Sequence, residues 1–220
     1  MKPVTSQPAS RHLSHNRTRV LKRGVYAGLT LLTAMTLSAC LSSDAPEVHY
    51  YLLRSDAQPE AVTQKPLAHV RLAPVKIAPY LDQAGIVLQT ANERVSIAQN
   101  HLWSEPLSFS LNNFLSREIS AAYGRQIIGS SSPSGDSQWV VNVNIDQLHG
   151  HQSGDVLLVA HWALSAEPKQ AGKLTYYTFS QSQPLTADGY DALVSAEKQL
   201  LIKLAGAIAN SLPRPTASAL

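Results

Sequence analysis

Cysteine is almost missing from this sequence: its 220 residues contain one, Cys40. A single cysteine excludes an internal disulfide framework and the clustered thiolates of structural zinc or iron–sulfur sites. Long apolar runs are missing as well. The run Gly24 to Thr36 (GVYAGLTLLTAMT) falls short of the roughly 20 residues that cross a bilayer core, and no later run reaches that length. Acidic residues are missing before position 44, where six of the eighteen Lys and Arg lie: Lys2, Arg11, Arg17, Arg19, Lys22 and Arg23. The overall net charge of +3 is therefore a property of the N-terminal segment. From Cys40 onward, twelve bases face fifteen acids, a net charge of −3. That balance argues against nucleic acid as a partner, because a nucleic-acid binder carries its basic patch on the folded part. A Gly-x-x-x-x-Gly-Lys phosphate loop and a Gly-x-Ser-x-Gly nucleophile elbow are both absent.

What the N-terminus does have is a basic segment, a short apolar run and a small-residue cleavage site, the layout of a secretory signal. The run ends on Leu37-Ser38-Ala39-Cys40, which resembles the lipobox of bacterial lipoproteins. In a lipobox the cysteine thiol receives a diacylglyceryl group and the signal is cut just before it. The plain alternative is a free cysteine late in an ordinary signal. The lipobox reading makes residues 1–39 a removed signal peptide and 40–47 a lipidated tether. Two or more acyl chains at Cys40 give stable membrane attachment where one chain gives a marginal one. Residues 48–213 then form a single domain, large enough for a proper core, and 214–220 a loose tail. Leu41, rather than Asp, follows the cysteine. In enteric bacteria this favours the outer membrane, with the domain facing the periplasm.

Within the domain, Val48–Arg54 and His69–Ala78 read as strands, the second with Pro74 marking an edge or a bulge. Pro79-Tyr80-Leu81-Asp82 reads as a turn. Ile86–Gln89 and Arg94–Ala98 form a hairpin around Thr90 to Glu93. A first helix is predicted from Ser104, with Ser104 as cap, Glu105 at the positive end of the dipole and Pro106 in the first turn. Leu107, Leu111, Phe114, Leu115 and Ile119 give it one apolar stripe, and Gly124 a stop. Gln126–Ile128 reads as a short strand and Gly129–Ser137 as a loop. Gln138–His149 alternates strictly, with Trp139, Val141, Val143 and Ile145 on one face. Asp155–Ala166 and Lys173–Ser180 complete a meander, with Val156, Leu158, Ala160, Trp162 and Leu164 inward. Tyr190–Leu212 is a second helix, stopped by Pro213. The fold class is α+β: a two-layer domain of mostly antiparallel sheet and two long amphipathic helices.

Candidate chemistry is sparse. His149 and His151, with Asp155 nearby, offer donors for zinc or copper, but their place in a hairpin turn reads better as solvated histidines. Ser130-Ser131-Ser132 reads as a loop rather than a nucleophile. Trp103 beside Glu105 reads as core packing at the helix start rather than a ligand-stacking pair. No catalytic residue, metal or cofactor is assigned, and a non-enzyme is expected.

Four segments together resemble the PqiC (YmbA) family of auxiliary lipoproteins: Tyr50 to Leu53, Pro74-Val75 with Pro79 to Asp82, Leu102 to Leu107 (LWSEPL), and Tyr190 to Val194 (YDALV). The chain departs from the pattern at Gln83-Ala84, where Arg-Pro is expected. The resemblance implies a non-enzymatic subunit of an intermembrane phospholipid transport system that maintains envelope integrity. Its implied partner is an MCE-domain conduit, docked by a lipoprotein anchored at Cys40. Conduits of that kind are rings, so the resemblance also allows a homo-oligomer. Tyr80, Leu81, Asp82 and Trp103 are the candidate docking residues, although Trp103 also reads as core. A structural or assembly lipoprotein of another envelope machine, or a lipoprotein-anchored hydrolase, is the alternative.

Overall fold

The computed structural model describes residues 46–57, 70–90, 93–129, 139–166 and 174–213. Cys40, the signal, the Ser130 to Ser132 loop and the 214–220 tail lie outside the described residues. Contacts divide the chain into Met1–Pro46 and Glu47–Leu220, and every strand and helix named below belongs to the second unit.

Eight strands make one sheet: β1 (His49–Tyr51), β2 (Val70–Leu72), β3 (Lys76–Ile77), β4 (Gly85–Gln89), β5 (Val95–Trp103), β6 (Trp139–His151), β7 (Asp155–Ala166) and β8 (Leu174–Pro184). The helices are α1 (Leu107–Tyr123) and α2 (Tyr190–Ser211). Across the sheet the order is β1-β5-β4-β6-β7-β8, with β2 and β3 also paired to β6. The long meander β6-β7-β8 is antiparallel, as alternation predicts, and so is the β4–β5 hairpin. Four short pairings are parallel: β1 on β5, and β2, β3 and β4 in succession along one edge of β6. The architecture is the expected α+β domain, with a mixed sheet.

Local chemistry explains the elements. The predicted 69–78 strand is split, because Pro74 has no N–H for the ladder; Ala73 N donates instead to Val141 O and Val75 N to Asn112 Oδ1. In β6 a bulge between Ile145 and Gln147 shifts the alternation by one residue. Val141, Val143 and Ile145 face inward before it; Leu148 and Gly150 do so after it. A side chain at Gly150 would meet the Cδ1 ends of Leu193 of α2 and of Leu88, which would have to move aside to admit it. Gly85 is fixed more firmly, since a Cβ there would meet the backbone carbonyl of Ala98 where β5 bulges. The predicted 126–128 strand reduces to one bridge between Ile128 and Arg71.

Both helices bury the stripes their spacing dictates: Leu107, Leu111, Phe114, Leu115 and Ile119 on α1, and Leu193, Leu200, Leu201, Leu204 and Ile208 on α2. The start of α1 differs from the expectation. Its N-cap is Pro106, with no side-chain cap, and Ser104 instead donates from both N and Oγ to Tyr51 O. Ser104 therefore ties the edge strand β1 to the helix start. Gly124 takes the left-handed conformation, φ 70°, at the C-cap.

Glu197 interrupts the apolar stripe of α2. It is 2 % exposed, and its Oε2 has no hydrogen-bond partner among the described residues. Burial raises its carboxyl well above the usual carboxylate range. The folded chain thus holds a proton that the unfolded chain releases above about pH 4.3. The stability this carboxyl allows is fully present below that pH and is lost as pH rises toward the folded value. Glu197→Gln should match the parent near pH 4 and become progressively more stable than it as pH rises to 8, because the amide has no proton to hold against the solution. Urea unfolding at the two pH values checks this, and a constant difference across pH would refute it.

Candidate functional site

Three surroundings contain the residues that the sequence singles out, and the fold assembles a fourth. The first is the helix start. Trp103 closes β5, is 8 % exposed and donates from its N to Ala84 O at 2.7 Å. Glu105 accepts from Ser110 Oγ at 2.6 Å, with Arg54 3.9 Å away. Each member of Trp103-Ser104-Glu105-Pro106-Leu107 is therefore occupied within the fold: one in the core, one holding β1, one bonding the first turn, one as cap and one buried beneath α1.

The second is the Pro79–Leu81 segment, a 3-10 turn. Leu81 is 1 % exposed, whereas Asp82 is exposed. Tyr80 lies between these extremes, donating from its hydroxyl to Asp146 O at 3.3 Å. Burial raises the Tyr80 hydroxyl above its ordinary value, and the nearby Asp146 adds to that. The structure does not bring Trp103 and this turn into one exposed patch: Trp103 and Leu81 are core residues, and Tyr80 and Asp82 keep the surface.

The histidines form the third. His149 belongs to strand β6 rather than to a turn, and at 3 % exposure it is not a solvated histidine. The bulge explains the difference: it turns His149 onto the face away from the helices, where Tyr80 covers it at 6.0 Å between ring centroids. Burial, with the neighbouring His151, lowers its imidazole below the ordinary value, so it is neutral, and its Nδ1 has no partner among the described residues. His151 bridges Asp155 Oδ2 (3.3 Å) and Gln89 Oε1 (3.0 Å), and so pins the tip of the β6–β7 hairpin to β4. Hydrogen bonds from Ser153 and His151 hold the Asp155 carboxyl below its usual value. Among the described residues, no group of three or more His, Cys, Asp or Glu is placed to hold a metal ion.

The fourth has no counterpart in the sequence reading. His101 of β5 stacks between His49 of β1 (5.1 Å) and Tyr190 at the start of α2 (4.0 Å), and its Nδ1 lies 2.9 Å from Tyr51 Oη. Burial, then Asp191, pushes the Tyr51 hydroxyl up to about 12. The only signal is the parallel register of β1 on β5, which sets His49 beside His101 and is invisible before the fold is known. The cluster locks β1 onto both β5 and α2.

Comparison with known proteins adds to this geometry. Residues 50–209 match a family described as the ABC-type transport auxiliary lipoprotein component. Two relatives, both intermembrane transport lipoprotein PqiC, come from Escherichia coli K12 and Shigella flexneri. Each is 29 % identical over 188 residues, which span 84 % of this chain and 97 % of the relative. A crystal structure of an uncharacterised protein superposes with a TM-score of 0.64 at 26 % identity, covering 76 % of this chain and 99 % of its own. A Xanthomonas campestris protein shares the fold at a TM-score of 0.58 and 14 % identity, over 73 % and 92 % of the two chains.

Proposed function

Because this chain belongs to the family of ABC-type transport auxiliary lipoprotein components, we propose that it is a non-enzymatic subunit of an intermembrane lipid-transport system. In this reading it is anchored through acylated Cys40 in the outer membrane and faces the periplasm. It docks an MCE-domain conduit, with several copies around the conduit's axis. The observation that carries the reading is the extent of the match. Relatives named for intermembrane transport align over 84 % of the chain, and the Trp103 to Leu107 motif has a part in the fold at every position. Leu41 after the cysteine favours the outer membrane. A non-enzyme fits residues that bond one another, as His151 with Asp155 and Gln89 do, rather than converging on a reactive centre.

The docking edge is proposed at the Pro79–Leu81 turn through Tyr80 and Asp82, since Leu81 is committed to the core. Asp82 is the cleaner probe because it is exposed and bonds no neighbour through its side chain among the described residues. Co-purification of the full chain with an MCE-domain protein of the same organism is the test. Asp82→Arg is expected to weaken recovery several-fold while leaving the melting temperature unchanged. If the unaltered chain recovers no MCE protein, the transport reading falls. If Asp82→Arg recovers as much as the parent, the docking edge is elsewhere.

A further inference from the structure

Beside its apolar stripe, α1 carries a polar one. Asn112, Asn113, Ser116, Arg117 and Ser120 recur three to four residues apart and share one side of the helix. They line a cleft of about 480 Å³, closed by Arg54 after β1 and by Gln126, Ile127 and Gly129 beyond the helix C-cap. Ser120 fixes the far wall: its Oγ donates to Ser116 O at 2.6 Å and accepts from Ile127 N at 3.1 Å.

The charge of the lining is one-sided. Two guanidinium groups and three carboxamides face the cleft, and among the described residues no Asp or Glu lines it. Of the nearby carboxylates, Glu118 accepts from Ser55 Oγ at 2.6 Å, and Glu105 accepts from Ser110 Oγ while pairing with Arg54 at 3.9 Å from outside the lining. Arg117 forms no ion pair among the described residues. Guanidinium groups present planar, paired N–H donors that match phosphoryl oxygens, and carboxamide N–H groups add neutral donors for ester and hydroxyl oxygens. The volume is in the range of small-molecule sites.

We propose that this cleft binds a phosphoryl group carrying a small polar ester, the chemistry of a glycerophosphate head group. Arg54 and Arg117 hold the phosphoryl oxygens, while Asn113 and Gln126 reach the glycerol hydroxyls. The lining stands without the transport reading; only the choice of a lipid-derived probe rests on it.

The test is calorimetric titration of the full chain, purified in a nonionic detergent. The probes are inorganic phosphate, glycerol 3-phosphate, the diester glycerophosphoglycerol, and glycerol as the uncharged control. Saturable binding of a phosphoryl probe is expected. It should weaken on the order of tenfold in Arg117→Gln and about a hundredfold in Arg54→Gln/Arg117→Gln, at unchanged melting temperature. A preference for the diester over the monoester supports the site and favours a lipid head group, whose phosphate is doubly esterified. A preference for phosphate or the monoester supports the site for a free phosphoryl ester. The proposal is overturned if no phosphoryl probe saturates, if glycerol binds as well, or if the folded double variant binds unchanged. Recovery of the MCE protein by the same variants separates this failure from that of the transport reading, which it leaves standing.

Discussion

Cys40→Ala is expected to leave the folded domain intact and to abolish its retention in the membrane fraction, and with it complementation of a deletion strain. The domain loses nothing because its core is built from Leu53 onward, and the first strand is held by its own bonds to β5, Ser104 and Tyr190. The proposed anchor loses everything, because Cys40 is the only thiol in the chain. Among the described residues no helix is long and apolar enough to cross a membrane, so no helical span there takes over. Two acyl chains bind stably where one is marginal, and a chain with none relies on protein contacts alone. Separation of membrane and periplasmic fractions reads the effect. A variant that still sediments with the outer membrane and complements the deletion would remove the anchor from the account.

Periodicity made the helices and the long strands legible. Phe114, Ile119, Leu200 and Leu204 are buried where a 3.6-residue repeat puts them, and Val141, Val143, Val156 and Leu158 where a two-residue repeat does. What periodicity cannot carry is pairing between distant segments. The parallel succession of β2, β3 and β4 along β6 depends on long-range register, which leaves no local mark. His149 shows a different failure. The alternating strand is read as ending at His149; it runs on to His151, and a single bulged residue turns His149 to the face opposite the one that alternation from Ile145 gives. The Arg54–Arg117 cleft was illegible for the first reason: its walls come from the end of β1, from α1 and from the 126–129 segment, brought together only by the fold.

Trp103→Ala is expected to destabilise the folded domain strongly. Trp103 ends β5 with Tyr51 paired alongside, its N–H bonded to Ala84 and α1 beginning four residues later. Its buried side chain thus sits where an edge strand, a hairpin and a helix start converge. Truncating a buried Trp to Ala costs about 3–5 kcal/mol, from lost transfer energy and the cavity left behind. For a domain of this size each kcal/mol lowers the melting temperature by about 2–4 °C, which gives a drop of roughly 6–20 °C. Trp103→Phe retains most of the buried surface and should lose much less. Two melts distinguish the packing role from a docking role. A Trp103→Ala domain that melts within a degree or two of the parent, yet no longer recovers the MCE protein, would move Trp103 from the core to the partner surface.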